Sequence, residues 1–147
     1  MTHLLDVNLL VALAWPNHIH HAAALAWFRR NQAAGWGTCP LTESGFVRVS
    51  SNSSVLPDAR SPREAIHLLR RIVALPHHVF WHDDVSMVTT DFLGEVPLVG
   101  YRQVTDAHLL TLARQRGGRL ATLDGKMRSL VPRGRDAAEI LCLVLEE

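Results

Sequence analysis

Short apolar runs separated by helical segments constrain the fold of this chain more than any other feature. The sequence predicts five strands, which are His3–Leu5, Trp36–Cys39, Val79–Trp81, Arg119–Leu123 and Ile140–Leu145. Strands with continuous apolar sequence, connected through helices, are typical of a parallel sheet covered on both faces. The chain is therefore predicted to be an α/β sandwich with a mostly parallel central sheet.

Helical periodicity and capping residues predict the elements between these strands. The predicted helices are Val7–Ala14, His20–Gln32, Thr42–Val49, Pro62–Leu75, Val85–Phe92 and Thr105–Arg116. Thr42, Ser61 and Thr105 are the expected N-caps, and Gly117 is expected to end the last helix. With 147 residues and no internal repeat, residues 1–147 are predicted to form a single domain.

Composition excludes several classes of protein. The formal net charge is +1, so overall charge gives no argument for binding nucleic acid or a membrane. Cys39 and Cys142 are too few for a disulfide framework or a zinc site, and both are expected to be buried thiols. The N-terminus lacks the pattern of a secretory leader, and no run is long enough to span a membrane. These features predict a cytoplasmic protein.

Four acidic residues follow predicted strands or begin predicted helices. Asp6 follows the first strand and Asp124 follows the strand that contains the sequence RLATL. Glu43 and Asp106 lie in the first turns of two helices. Acids in first turns favour the helix dipole, and Asp after a strand is common in turns, so each has a purely structural explanation. All four positions, however, are expected to meet at one edge of a parallel sheet.

Clustering of four carboxylates favours a metal site. Such groups repel one another strongly unless a cation lies among them, and Asp6 in particular is expected to serve the metal and not the fold. Oxygen ligands without His or Cys select a hard ion such as Mg²⁺ or Mn²⁺. Phosphoryl transfer is the chemistry that such a site performs best.

Three segments carry a family resemblance: LLDVNLLVALA, LTESGFVRV and VTDAHLLTLARQRGGRLATLDGKM. They resemble the PIN-domain nucleases, specifically the VapC-like toxins of bacterial toxin–antitoxin pairs, from Leu4 to near Pro132 and in the family's order. The resemblance implies a PIN-like α/β/α sandwich and an Mg²⁺- or Mn²⁺-dependent endoribonuclease. The residues it implies as catalytic and metal-binding are Asp6, Glu43, Asp106 and Asp124.

The same resemblance implies the partners of the protein. These are an RNA substrate, a small cognate antitoxin protein and a second copy of the chain, with no role for a membrane. Lys126 and Met127 depart from the family pattern, in which many members have an acid and then Phe. The number of metal ions therefore stays open between one and two.

Two alternatives of other classes remain at this level. A receiver-like signalling domain also clusters acids around Mg²⁺, but it needs an acidic pair after its first strand and a central phosphorylated Asp. Asp6 stands alone, and no central strand ends in a suitable Asp. A non-catalytic PIN-fold interaction protein would not need all four acids. An assay separates the three alternatives. A nuclease would cleave RNA in the presence of metal, a receiver domain would be labelled by a small phosphodonor, and an interaction protein would do neither.

Basic residues outside the acidic set have two possible roles. The helix from Pro62 has a polar face with Arg63, His67, Arg70 and Arg71, and its apolar face is expected to contain Ile66, Leu69 and Val73. The polar face is either simply solvated or, with Arg60, guides an RNA backbone toward the acids. The histidines at 18, 20, 21, 77, 78 and 82 lack metal-ligand spacing and are expected to be solvated or to cap helices.

Overall fold

Five parallel strands form the centre of the protein. The computed structural model describes residues 1–89, 98–130 and 140–142. The strands are β1 (His3–Leu5), β2 (Trp36–Thr38), β3 (His78–Phe80), β4 (Arg119–Thr122) and β5 (Ile140–Cys142). They lie in the order β3-β2-β1-β4-β5, and every neighbouring pair is parallel. The predicted parallel sheet is confirmed, and residues 143–145 of the predicted last strand lie outside the described residues.

Five α-helices are described. They are α1 (Val7–Ala14), α2 (His21–Asn31), α3 (Pro40–Ser50), α4 (Pro62–Val73) and α5 (Val104–Gln115). Short 3-10 helices cover Gln32–Ala34, Tyr101–Gln103 and Gly125–Leu130. Within the described ranges, no helix combines the length and the apolar character that crossing a bilayer requires.

Adjacent residues of the central strands face opposite sides of the sheet, where they enter two separate cores. Leu4 and Leu120 pack with α5, whereas Leu5 and Ala121 pack with helices α1 to α4. This alternation is the two-residue period of a strand. Because both faces are covered by helices, the strands can be apolar throughout, and the predicted α/β/α sandwich is confirmed.

The chain changes direction across the sheet between β1 and β4. Strands β2 and β3 continue outward from one side of β1, whereas β4 and β5 lie on its other side. The crevice outside the carboxyl ends of such a strand pair is the usual ligand site of an open α/β sheet. Leu5 pairs with Ala121 at this boundary, so the residues that follow β1 and β4 emerge beside each other.

Two predicted N-caps are wrong, and in both cases the helix begins earlier. Helix α3 begins at Pro40, because the fixed φ of proline and its missing N–H suit a first helical position. The hydroxyl of Thr42 therefore lies within the first turn and accepts a hydrogen bond from the N–H of Cys39 at 3.0 Å. Helix α5 begins at Val104 directly after a 3-10 turn, so Thr105 is already helical.

Two further predictions fail in the described residues. Residues 85–89 of the predicted helix Val85–Phe92 form loop and turn, and residues 90–92 lie outside the described ranges. Ile66 was expected in the buried face of α4 but is 46% exposed. Leu69 and Val73 pack inward as predicted, together with Ala65, Leu68 and Ile72. The spacing of these five residues, i, i+3, i+4, i+7 and i+8, makes a more complete apolar face.

Helices α1 and α3 approach each other closely at Gly45. A Cβ atom added at this glycine would lie 2.5 Å from Cγ2 of Val7, which is far inside van der Waals contact. Val7 directly follows Asp6, and Gly45 lies two residues after Glu43. The close approach therefore fixes the spacing of the two helix starts that carry these acids.

Gly45→Ala is expected to destabilise the protein by about 1–3 kcal/mol, because the added methyl group overpacks the α1–α3 contact. In an unobstructed helix the same change would instead stabilise by roughly 0.5–1 kcal/mol. Urea denaturation measures the difference. Val7→Ala in the same chain should recover much of the loss, since it removes the atoms that clash. A double-mutant cycle that gives no coupling free energy between the two substitutions would contradict the close contact of Gly45 with Val7.

Candidate active site

Asp6 is buried at the end of β1, with only 7% of its surface exposed. It is the N-cap of α1, and its Oδ1 accepts a hydrogen bond from the N–H of Val7 at 2.7 Å. Its Oδ2 accepts a hydrogen bond from the hydroxyl of Thr122 at 2.7 Å. Asp6 therefore contributes to the fold as well, and the expectation that it serves only a metal is wrong in that respect.

Thr122 connects the ends of β1 and β4. Its single hydroxyl hydrogen is donated to Asp6, so its oxygen accepts from Asn8 Nδ2 at 3.2 Å and from the N–H of Asp124 at 3.1 Å. Asn8 Oδ1 in turn accepts from the N–H of Leu123 at 3.0 Å. The network fixes Asp6 against the turn that leads to Asp124. Asn8 thus links α1 to the end of β4.

Three aspartates lie near enough to influence one another's ionisation. Burial is the main cause that raises the pKa of Asp6, and the charge of Asp124 raises it further against the two hydrogen bonds. Burial also raises the pKa of Asp106 to about 6, with the charges of Asp6 and Asp124 as further causes. The structure therefore brings together three of the four predicted acids, from β1, α5 and the turn after β4.

Glu43 belongs to a neighbouring hydrogen-bonded chain. Its Oε2 accepts a hydrogen bond from the hydroxyl of Thr38 at 2.6 Å, and Thr38 Oγ1 lies 2.8 Å from Nε2 of His78. Because the threonine hydrogen is directed to Glu43, His78 must donate through Nε2. Burial lowers the pKa of His78, although the charge of Glu43 opposes this shift. Glu43 is not among the charges that raise the pKa values of the aspartates.

The donor chemistry of the aspartate cluster fits a hard divalent cation. The cluster offers only oxygen atoms, and a cation among them would relieve the repulsion that raises the pKa of Asp106. In the described part of the chain, however, no three His, Cys, Asp or Glu side chains are grouped closely enough to hold an ion. Mg²⁺ usually retains several waters in protein sites, so a cation here would be held partly through water.

Sequence reasoning missed Thr38 and Thr122 as site residues. Each is the last residue of its strand, completely buried, and each donates its hydroxyl hydrogen to an acid of the candidate site. The available signal was a threonine at the carboxyl end of an apolar strand. Such residues also have high strand propensity, so the signal is indistinguishable from ordinary strand composition without the structure.

Two histidines of the cluster at residues 18–21 form local contacts with the backbone, and no histidine side chain in the described ranges caps the start of α2. His21 Nδ1 lies 2.8 Å from the carbonyl oxygen of Ala12, and His18 Nδ1 accepts a hydrogen bond from the N–H of His20 at 3.0 Å. His108 of α5 contacts another acid, since its Nε2 lies 2.6 Å from Oδ2 of Asp83. Asp83 belongs to the loop after β3, so His108 joins that loop to α5.

Asp106→Asn is expected to raise the melting temperature in EDTA at pH 7. The folded pKa of Asp106 is about 6 against an ordinary value of 3.8, so the carboxyl ionises at lower pH in the unfolded chain than in the folded protein. The free energy of unfolding therefore falls as pH rises through this interval. The melting temperature of the wild type should therefore fall more steeply over that range than that of the variant. For a chain of this size, each kcal/mol corresponds to roughly 2–4 °C.

Asp58→Asn, which changes an exposed aspartate outside the cluster, is the matched control and should melt like the wild type across this range. An Asp106→Asn variant that melts below the wild type in EDTA would show that Asp106 acts chiefly as a structural first-turn acid.

Comparison with known proteins identifies the family. The chain matches the PIN domain over residues 3–131. Ribonuclease VapC38 of Mycobacterium tuberculosis is 54% identical over 143 residues, which cover 96% of this chain and 99% of that protein. Ribonuclease VapC39 of the same organism is 47% identical over 127 residues, with coverage of 86% and 91%. These matches exclude the receiver-domain alternative.

A solved structure supports the same fold. The crystal structure of VapC20 from M. tuberculosis, a toxin that cleaves the sarcin–ricin loop, superposes with a TM-score of 0.60. The alignment covers 86% of this chain and 93% of that one at 16% sequence identity, which establishes similarity of fold alone. From the domain match and the identities to the two ribonucleases, the chain belongs to the PIN-domain family and, within it, to the VapC ribonucleases.

Proposed function

We propose that this protein is a metal-dependent endoribonuclease and the toxin of a toxin–antitoxin pair. The observation that carries this proposal is the cluster of Asp6, Asp106 and Asp124 beside the β1–β4 boundary, where burial and mutual repulsion raise the pKa values of two of the three. Such a cluster is unfavourable for the protein alone. It is suited to hold a cation that positions a phosphodiester.

Asp6, Glu43, Asp106 and Asp124 are the proposed ligands of Mg²⁺ or Mn²⁺, directly or through water. When bound, the cation would offset the negative charge of the cluster and activate water for attack on phosphorus. Thr122 holds the Asp6 carboxylate in one orientation, and Thr38 does the same for Glu43. Glu43 is less closely coupled to the site than the three aspartates, because Thr38 holds its carboxylate and its charge does not shift their pKa values.

Hydrolysis at this site should proceed by in-line attack of water on the phosphodiester, leaving a 5′-phosphate and a 3′-hydroxyl. The buried carboxylate of Asp6 needs no rearrangement for such a step, since both of its oxygens already accept hydrogen bonds from the protein. Fixed dipoles and charges of this kind stabilise the transition state, and the protein groups do not have to reorganise during the reaction.

Control by a small antitoxin follows from the danger of an active ribonuclease in the cytoplasm. We propose that a cognate antitoxin covers apolar surface of the toxin and inserts an arginine into the acidic cluster. We also propose that the toxin forms a homodimer. The open reading frame next to the gene is the direct test of the partner. A neighbour unlike a small DNA-binding protein, together with harmless expression of the chain alone, would contradict the toxin assignment.

Asp6→Asn is expected to reduce metal-dependent RNA cleavage by at least about a hundredfold, as loss of a central electrostatic group does in other enzymes. Asn remains a good N-cap, so the variant loses the negative charge and keeps the helix start. Cleavage of total RNA is followed with Mg²⁺, with Mn²⁺ and with excess EDTA, and the ends of the fragments are identified by ligation and sequencing.

Asp58→Asn serves again as the control and should cleave like the wild type. Mg²⁺ should also raise the melting temperature of the wild type, because it binds only the folded state, and should do so less for Asp6→Asn. Undiminished cleavage in EDTA or by Asp6→Asn would refute the metal mechanism, whatever the melting data show.

A further inference from the structure

The outer face of α4 is an exposed basic surface. Arg63, His67, Arg70 and Arg71 are all exposed, and Ile66 lies among them with 46% of its surface accessible. Arg63, Ile66, His67 and Arg70 follow the i, i+3, i+4, i+7 spacing of one helical stripe. The stripe combines fixed positive charge with one large apolar side chain, that of Ile66, which is not packed into the core.

This stripe is continuous with Glu43, one of the four acids of the candidate site. A shallow hollow of about 790 Å³ is lined in part by Arg63, Ile66 and Arg70. A second hollow of about 220 Å³ is lined by Ile66 and Arg70 together with Glu43. Because the two hollows share Ile66 and Arg70, a molecule lying along α4 would lead directly to Glu43.

The arginines of this face are not neutralised by the described protein. Arg63, Arg70 and Arg71 form no ion pair with any residue in the described ranges, and Arg70 does not pair with Glu43 although both line one hollow. The exposed acid on the first turn of α4 is Glu64, and it lies 3.9 Å from Arg60. The positive charge of the stripe is therefore available to an external anion.

We propose that this face of α4 binds the sugar–phosphate backbone of the RNA substrate and leads it to Glu43. The inference rests on the proposed function, since it identifies how the substrate of that site is held. Arginine suits this role because its planar guanidinium can donate two parallel hydrogen bonds to one phosphate. Arg63 and Arg70 are separated by about 10 Å along the helix, the rise of about three stacked nucleotides.

The chemistry of the face favours RNA over a protein segment. Phosphates recur along a strand at intervals that a row of arginines can match, whereas a docked apolar helix would leave the unpaired guanidinium groups without an anionic partner. Ile66 lies between the two arginines, where it can contact a ribose or the face of a base. The contacts are to the backbone, so this binding should not depend on base sequence.

The test compares R63Q/R70Q with R29Q/R30Q, a matched pair of exposed arginines in the last turn of α2. Binding of a fluorescent single-stranded RNA of random sequence is measured by anisotropy in excess EDTA, over a series of salt concentrations. R63Q/R70Q should bind about tenfold more weakly. The slope of log K against log salt should fall by about 1.4, since each phosphate contact contributes about 0.7 in single strands.

Cleavage kinetics in Mg²⁺ provide the second measurement. R63Q/R70Q should raise KM and leave kcat nearly unchanged, whereas R29Q/R30Q should change neither. R63K/R70K should retain most of the salt slope, because it keeps the charge and loses only the paired hydrogen bonds. A thermal melt of each variant reports whether the fold is intact.

The outcomes separate the two proposals. If the wild type neither binds nor cleaves RNA, the proposed function fails and this inference fails with it. If the wild type cleaves and R63Q/R70Q behaves like R29Q/R30Q, RNA binding by the outer face of α4 is refuted, whereas the proposed nuclease activity is supported. Weaker binding with an unchanged salt slope would also refute it, because the lost contacts would not be to phosphates.

Discussion

The hydrogen bond from Thr122 to Asp6 depends on the parallel pairing of β1 with β4, and the rest of the candidate site depends on that bond. The pairing places the last residue of β4 beside the residue that follows β1. The same hydroxyl oxygen accepts from Asn8 and from the N–H of Asp124. A single buried side chain thus fixes α1, the end of β4 and the following turn relative to one another.

A cluster of carboxylates at this boundary is unfavourable for the fold alone. Asp6 is nearly excluded from solvent, and the hydrogen bonds it accepts only partly offset the loss of hydration. Asp106 has its pKa raised to about 6 for the same reason and by the charges of its neighbours. Proteins retain such destabilising groups where function requires them. Helix capping by Asp6 and the close α1–α3 packing at Gly45 are among the interactions that hold the arrangement in place.

The sequence was sufficient for the architecture and for three members of the cluster. Apolar strands, helix periodicity and the position of acids after strands are local patterns, and they led to Asp6, Asp106 and Asp124. Local patterns could not show that Thr38 and Thr122 donate to acids, since that depends on which strands are neighbours.

Helix starts were also predicted imperfectly, because Thr42 and Thr105 have the chemistry of caps. Pro40 and the 3-10 turn before Val104 compete with them and begin each helix earlier. Ile66 was misplaced because two apolar stripes of α4 differ by one residue, and only packing against α3 decides between them.

The pairing of β1 with β4 also has a consequence for synthesis on the ribosome. Asp6 leaves the exit tunnel well before Thr122 and Asp124 do, because it precedes them in the chain by more than three quarters of the printed sequence. Contacts between such distant segments form late, after the loop between them has closed. The aspartate cluster is therefore incomplete in a nascent chain that is stalled before β4. On the proposed assignment of these residues, the chain would become a competent nuclease only after β4 and Asp124 have left the ribosome.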